Sequence, residues 1–406
     1  MRDLFALRTV GLTGASLAVQ ATITMASLTF AMLAADPRSG FDVSRSIVGL
    51  YTSSVYFGAA TGAMFAGGFV ARYGPIRISQ FSLLSAFVGL VALSFGSIWL
   101  ALIFAVFIGL GYGPANPAAS ELLGRHTPKQ YRPLIFSFKQ TGVPIGAGAA
   151  GFAVPFLLGY MDGQSSILAI ASLSAVLIFA FQPWRERFDT GRRPDAMIGF
   201  REVQASLIMV MSYPNLRLLA AASFGFAIIQ LSIGAFMVLY LTEAIGLSVY
   251  QAAGVYAVIQ AFGVGGRITW GALLVRIGAE KGMLMLAFLA VLMSTGTALA
   301  AVMTGAWPMP LILAVSALLG VSVVGWNGIF MAEVANQAPP DKTAAATGIS
   351  IGFTFFGVVF GPFIFGLLAD LTGSYVLGFG VLALMSAVAA LALYTTYRRN
   401  RVAVAV

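Results

Sequence analysis

Two basic residues lie inside apolar stretches of this sequence, where a charge is costly. Lys139 lies seven residues after Arg132, and Arg267 lies nine residues before Arg276. In a helix that rises 1.5 Å per residue, each cation is then about 10 to 14 Å from the flanking arginine. A charged side chain in hydrocarbon costs roughly 2.5 to 3.5 kcal/mol on insertion scales, so both positions indicate function. The simplest ligand for two such cations is an anion.

The two cations differ in the ligand geometry that they favour. The planar guanidinium fork of Arg267 suits a carboxylate or phosphate bound through two oxygens, whereas the ammonium group of Lys139 acts as a point charge. The alternative interpretation is structural. In that case Arg267 extends to the membrane interface and Lys139 binds the end of a helix.

Uncharged polar side chains within the apolar stretches form a second group of candidates, because they could orient a ligand or bond to neighbouring helices. They are Gln20, Gln230, Trp326 and Asn327, followed by Asn116, Tyr112, Tyr51 and Tyr56. The acids Glu121 and Glu333 end their stretches near the basic loop residues Arg72 and Arg276, which predicts a gate of salt bridges, with proton carriage as the alternative. We expect no metal site, cofactor or enzymatic activity, since no paired acids or nucleophile occur in mid-stretch.

The elements that carry these residues are membrane spans. Charged residues make up 9% of the 406 residues and hydrophobic ones 59%, with a mean hydropathy of +0.92, whereas soluble domains carry about 25% charge. A span needs about 20 apolar residues. Eight charge-free runs hold one helix each, and the two longest, which start at Ile78 and Gly282, hold two each around turns at Gly96-Ser97 and residues 305–310. The sequence therefore predicts an all-α membrane protein with twelve spans.

Basic residues fall mainly on one side of this arrangement. Of the 23 Lys and Arg residues, 19 lie in alternate loops, Arg38 and Arg45 lie on the opposite side, and Lys139 and Arg267 lie within spans. The positive-inside rule then places both termini in the cytoplasm. We expect the protein to lie in the inner membrane. We attribute the net charge of +9 to this bias and expect no nucleic-acid partner.

The chain reads as two homologous halves. Residues 67–77 (GGFVARYGPIR) and 271–281 (GALLVRIGAEK) both follow the pattern G-x-x-x-x-R-x-G after the second span of their half. The most charged internal stretch begins at Arg185, near the midpoint. We predict six-helix bundles at residues 1–184 and 214–406, joined by a cytoplasmic linker at 185–213.

The repeated loop resembles the signature G-x-L-a-D-R-x-G-R-[RK] of the major facilitator superfamily. Gly67, Arg72 and Gly74 agree, while the acidic position is Ala71 here and Val275 in the second copy. The fourth span also has Ala105 where the family signature has an arginine. The resemblance implies two pseudo-symmetric six-helix bundles and transport by alternating access, in which the fifth and eighth spans face one another.

The segment GVGGRITWG, residues 263–271, is similar to the eighth span of monocarboxylate and oxalate/formate-type porters, whose arginine pairs with the substrate carboxylate. That resemblance implies a secondary transporter for a small organic anion. We also expect a monomer and take protons as a candidate coupling ion, and the sequence leaves symport, exchange and uniport open. Gly263 stands where the monocarboxylate pattern has an acid. The alternatives are proton-driven efflux of hydrophobic drugs and a non-transporting membrane receptor or scaffold.

Overall fold

The computed structural model describes residues 2–35, 39, 41 and 45–405. Every regular element in this part of the chain is a helix, and none is a strand. Lipid offers no hydrogen-bond partners to the backbone. A chain in the membrane therefore forms helices, in which its own N–H and C=O groups bond to one another. The helices are α1 (Arg2–Ala35), α2 (Arg45–Tyr73), α3 (Pro75–Ser94), α4 (Ile98–His126), α5 (Arg132–Gln140), α6 (Gly142–Leu157), α7 (Gly163–Ala180), α8 (Gln182–Phe188), α9 (Phe200–Ser212), α10 (Pro214–Glu243), α11 (Val249–Ile277), α12 (Gly282–Val302), α13 (Met309–Leu319), α14 (Asn327–Gln337), α15 (Thr343–Thr372) and α16 (Val376–Ala405).

Within the described residues, 11 helical segments are long and apolar enough to cross a membrane. The remaining predicted span, the fifth, is divided at Thr141 into α5 and α6, of 9 and 16 residues. Pro144 explains the division, because a proline lacks an N–H group and its ring clashes with the carbonyl four residues earlier, here that of Gln140. The prediction of twelve spans is confirmed with this refinement.

Both predicted turns inside the long apolar runs are confirmed. Between α3 and α4, the Ser97 hydroxyl caps α4 by accepting a hydrogen bond from the Leu100 N–H at 3.5 Å. Between α12 and α13, the chain leaves the helix after Val302 and re-enters it at Met309. Arg38, which the sequence assigns to the opposite side, lies outside the described residues.

The tenth span is also interrupted. A π-helical turn at Gly320–Val324 follows α13, and a turn at Gly325-Trp326 precedes α14. A π-helical turn changes the hydrogen-bonding register of the backbone, which makes carbonyl oxygens available to other donors, and such turns are frequent at functional sites. Broken helices at membrane depth occur where they are buried in protein or line a cavity.

The chain forms two compact units. The first contains residues 1–127, 139–213 and 337–355, and the second contains 128–138, 214–336 and 356–406. Two short segments, 128–138 and 337–355, are thus grouped with residues from the other half of the sequence. The assignment of whole bundles to 1–184 and 214–406 stays a prediction.

The linker is partly helical and packs on the first unit. Asp189, which follows α8, accepts hydrogen bonds from the N–H groups of Ile76 at 2.8 Å and Arg77 at 3.1 Å, so it caps α3. Its carboxylate leaves no room for a Cβ at Gly74, whose φ of 90° also favours glycine. Burial raises the pKa of Asp189, while the two backbone hydrogen bonds act in the opposite direction.

Candidate functional site

Lys139 lies at the end of α5 with 1% of its surface exposed. Its ammonium group donates hydrogen bonds to Gln20 Oε1 at 2.9 Å, to Gln140 Oε1 at 3.2 Å and to Asn116 Oδ1. These three partners are neutral amides, whose oxygens satisfy hydrogen bonds of the buried ammonium group. Two of the sequence-predicted polar residues, Gln20 and Asn116, therefore meet the predicted cation within the first unit.

Helix breaks and glycines create this cluster. α5 ends directly after Lys139, and α6 then packs closely on α1, where a Cβ at Gly142 would collide with the Leu17 carbonyl and one at Gly146 with the Ala21 backbone. Glycines four residues apart allow such close approach of two helices. This contact between α6 and α1 holds Gln20 of α1 beside Lys139.

An aromatic group adjoins the polar cluster in the first unit. Gln20 Nε2 donates to Thr24 Oγ1 at 3.3 Å, and Thr24 lies 3.5 Å from the hydroxyl of Tyr112. The ring of Tyr112 lies 6.4 Å from that of Tyr56 and 5.8 Å from that of Phe355. The sequence-predicted Tyr112 and Tyr56 are therefore neighbours.

Tyr51 is placed differently from the other two tyrosines. It is 1% exposed, and its ring packs 4.5 Å from that of Phe30. Among the described residues its hydroxyl has no hydrogen-bond partner. These contacts describe a core residue of the first unit.

Arg267 is 3% exposed in α11 and lies against the π-helical turn. Its Nε donates to the Val324 carbonyl at 2.8 Å, and one turn later Trp270 Nε1 donates to the Val321 carbonyl at 2.7 Å. Two side chains of α11 thus bond to carbonyls of the interrupted span. The bond through Nε fixes the plane of the guanidinium group, which a two-oxygen contact to a carboxylate requires.

Close packing against the π-helical turn explains Gly263, the departure from the monocarboxylate pattern. A Cβ at Gly263 would lie 2.6 Å from Val324 Cβ, and one at Gly266 would lie 2.8 Å from Val321 Cα. An acidic side chain at position 263 therefore has no room in this structure. The carbonyl of Val324 accepts the hydrogen bond from Arg267 Nε that orients the guanidinium group.

The remaining predicted residues of the second unit also meet. Gln230 Oε1 in α10 accepts hydrogen bonds from Trp326 Nε1 at 3.0 Å and Asn327 Nδ2 at 3.2 Å. Trp326 is 1% exposed, and its ring lies 5.3 Å from that of Phe226. Gln230 thereby ties α10 to the break before α14.

Most of the chain matches the sequence profile of a known protein family. The sequence profile described as Major Facilitator Superfamily matches residues 12–352. The chain belongs to the Major Facilitator Superfamily. This superfamily comprises membrane transporters, so the chain is a multi-pass membrane transporter, in agreement with the resemblance of its 67–77 loop.

Solved structures of other transporters have the same fold as this chain. The E. coli fucose:proton symporter matches with a TM-score of 0.74 at 16% identity, over 95% of this chain and 98% of that one. The human organic anion transporter TETRAN matches with a TM-score of 0.75 at 14% identity, over 95% and 99%. A curated relative, described as a gallate transporter of Pseudomonas putida, is 26% identical over 387 residues, which cover 86% of this chain and 83% of the relative.

Glu121, one of the predicted gate residues, is hydrogen-bonded to the first turn of α15. The Glu121 carboxylate is 4% exposed, pairs with Arg125 Nη2 at 2.6 Å and accepts a hydrogen bond from the Ala344 N–H at 3.0 Å. Arg125 also lies 3.8 Å from Asp341. All of these residues belong to the first unit, where they line a cavity of about 250 Å³.

The other predicted gate residues have separate surroundings. Glu333 is 4% exposed and its carboxylate lies against Gly282, at the start of α12. Arg72 is exposed with its guanidinium 5.7 Å from the ring of Tyr73, and Arg276 is exposed at the end of α11.

Sequence reasoning missed several polar neighbours of the site. Within the first unit these are Thr24 and Gln140, and within the second they are Trp270 and the pair formed by Gln260 Nε2 and the Tyr256 hydroxyl at 2.7 Å. Tyr256, Gln260 and Arg267 are spaced four and seven residues apart, which places them on one face of α11. That spacing is the signal that could have found the pair.

Proposed function

We propose that this superfamily member moves a small organic anion, a carboxylate, across the membrane by alternating access. The observation that carries the proposal is the buried guanidinium of Arg267, 3% exposed and oriented through its Nε by the Val324 carbonyl. A charge kept at membrane depth is functional by default, and a fixed guanidinium matches the geometry of a carboxylate. The same features disfavour the efflux of neutral or cationic drugs.

Lys139 supports an anionic substrate through its partners. Its ammonium group donates to amide oxygens of Gln20, Asn116 and Gln140. A carboxylate oxygen is a stronger acceptor for an ammonium group than an amide oxygen, since a hydrogen bond between two ions is roughly twice as strong as a neutral one. We infer that an anionic substrate replaces one of these amide contacts of Lys139.

An aromatic carboxylate fits the surroundings of Lys139 best. Tyr56, Tyr112 and Phe355 have ring centroids 5.8 to 6.4 Å apart and are linked to Gln20 through Thr24. Such rings favour a planar aromatic ligand by edge-to-face packing. The relative described as a gallate transporter, which is named for an aromatic carboxylate, supports the same class.

We further propose that Glu121 and Arg125 form the cytoplasmic gate, because they tether the start of α15 through Ala344 and Asp341. The basic loops support an inner-membrane protein with both termini in the cytoplasm. Proton coupling is the favoured energy source, as in the fucose:proton symporter that shares the fold.

Uptake into proteoliposomes tests this function directly. The purified chain is reconstituted and offered radiolabelled gallate, benzoate, acetate and oxalate, with neutral pyrogallol and a cationic dye as controls. We expect saturable uptake of the aromatic carboxylates, enhanced by an acidic exterior. Uptake of pyrogallol or the dye without uptake of any carboxylate would contradict the proposal and favour drug transport.

A further inference from the structure

A second cavity in the first unit lies away from the candidate anion ligands. It is a groove of about 490 Å³ between α2, α3, α7 and the start of the linker. Its walls are largely apolar, and the side chains that form them include Phe69, Phe81, Leu84 and Ile178. Phe81 is 39% exposed and Leu84 is 46% exposed, so the apolar wall opens outward between helices that cross the membrane.

Two arginines line the same groove. Arg77 belongs to the first turn of α3 and Arg185 to α8, so the basic groups lie where the spans end and the linker begins. The apolar wall extends from them along α3 to Leu84. The groove therefore combines a basic end with an apolar length, which matches the division of a phospholipid into phosphate and acyl chain.

Partly buried hydrogen bonds hold the basic end of the groove in place. Arg77 Nη1 donates to Gln80 Oε1 at 3.0 Å, and Gln80, which is 4% exposed, donates through Nε2 to the Ile178 carbonyl at 2.8 Å and to Gln182 Oε1 at 3.0 Å. Gln80 therefore joins the guanidinium of Arg77 to the seam between α3 and α7. A guanidinium oriented in this way suits a phosphate group.

The charges around the basic end leave an excess of positive charge. Asp189 lies close to both arginines, but its carboxylate caps α3 through the N–H groups of Ile76 and Arg77. Glu186 and Arg192 line the adjoining surface beside Arg185. Arg77, Arg185 and Arg192 thus outnumber Asp189 and Glu186 by one.

We propose that this groove binds one anionic phospholipid of the cytoplasmic leaflet, with its phosphate between Arg77 and Arg185 and an acyl chain along Phe69, Phe81 and Leu84. Basic pockets between membrane helices on the cytoplasmic side bind anionic headgroups, and each basic group near such a surface contributes about 1 kcal/mol. The lipid has no part in the transport chemistry, so the inference stands apart from the substrate.

Native mass spectrometry of the purified full chain, titrated with phosphatidylglycerol or phosphatidylcholine, tests the assignment. We expect the first phosphatidylglycerol to bind more tightly than the first phosphatidylcholine. The double variant R77Q/R185Q should weaken phosphatidylglycerol binding by about 30-fold, the equivalent of about 2 kcal/mol. The matched control R398Q/R399Q, which removes two exposed basic residues of α16, should bind as the wild type does.

A further variant and a competitor separate the lipid from a free anion. Leu84→Trp keeps both arginines but fills the groove, so it should also weaken phosphatidylglycerol binding if an acyl chain lies there. Equal binding of the two lipids by the wild type would overturn the proposal. Displacement of the lipid by millimolar inorganic phosphate, together with normal binding by Leu84→Trp, would overturn it in favour of a headgroup-only anion site.

Discussion

At the scale of single residues, the proposed carboxylate ligands are two buried cations, Lys139 and Arg267. Lys139 is held by amide oxygens and Arg267 by a backbone carbonyl, contacts that carry dipoles but no full charge. A carboxylate that contacts either group forms a charge-assisted hydrogen bond, which is stronger than a bond to an amide or a carbonyl.

We predict that Lys139→Gln weakens anion binding by about 10- to 100-fold, because it removes a hydrogen bond to a charged group worth about 1.5 to 3 kcal/mol. Equilibrium binding of radiolabelled gallate to the purified variant measures the effect. Lys129→Gln, which changes an exposed lysine, is the matched control and should bind normally. Wild-type affinity in Lys139→Gln would show that Lys139 is structural.

The sequence identified candidate polar residues within the spans, but it did not indicate which of them contact one another. Gln20, Asn116, Gln230, Trp326 and Asn327 were all candidates because polar groups are rare at membrane depth. Their pairing depends on helix packing, which no local pattern encodes. One partner of Arg267 is the Val324 carbonyl, and a backbone carbonyl cannot be identified as a partner from the types of the residues.

At the scale of elements, both candidate cations adjoin a break in a span. Lys139 precedes the break between α5 and α6, and Arg267 bonds to the π-helical turn of the tenth span. The break between α5 and α6 follows from Pro144 and the neighbouring glycines, so the sequence could indicate it. The π-helical turn at Gly320–Val324 has no comparable signal, since its residues Gly-Val-Ser-Val-Val contain no proline. Its register depends on the carbonyls that Arg267 and Trp270 engage.

We predict that Trp270→Phe lowers the free energy of unfolding by about 1 to 3 kcal/mol, because the Val321 carbonyl loses the indole N–H as its donor. Chemical denaturation in detergent measures this change. The variant should also bind anions more weakly, since the turn that orients Arg267 is loosened. Trp99→Phe is the control, with a side chain that is 74% exposed; equal effects of the two changes would contradict a specific role for Trp270.

At the scale of the whole molecule, the compact units do not follow the midpoint of the sequence alone. Residues 337–355 are grouped with the first unit, where Glu121 accepts from the Ala344 N–H. The apolar runs and the repeated loops predicted the twelve spans and the superfamily fold, because each of these signals extends over many residues. They could not predict this grouping, which depends on contacts far apart in sequence.

We predict that Glu121→Gln frees the start of α15, because it removes the charge that pairs with Arg125 and accepts from Ala344. The chain has no cysteine, so Thr347→Cys, a change at a fully buried position of α15, provides a single labelling site. An impermeant maleimide applied to inverted vesicles should label this cysteine several-fold faster when Glu121→Gln is also present.

Glu280→Gln, a change at an exposed acid, is the matched control for Glu121→Gln and should leave the labelling rate unchanged. Substrate counterflow should persist in Glu121→Gln. An unchanged labelling rate combined with loss of only the proton-driven uptake would identify Glu121 as a coupling residue and refute its role as a gate.

The orientation of the chain provides a further prediction at this scale. Because 19 of 23 basic residues lie in alternate loops on one side, both termini should be cytoplasmic. Protease added to inverted vesicles should cut the linker near Arg192, whereas right-side-out vesicles should be protected. Cleavage near Arg192 only in right-side-out vesicles would reverse the assigned orientation.

The most direct test of the central claim is the affinity of the purified protein for gallate when Arg267 is changed. Arg267→Lys keeps the charge but removes the fork, so gallate binding should weaken by about 10- to 100-fold, in line with about 1.5 to 3 kcal/mol for a hydrogen bond to a charged group. Arg267→Ala should abolish measurable binding. If Arg267→Ala binds gallate with wild-type affinity, Arg267 is a structural residue and the assignment of a carboxylate substrate fails.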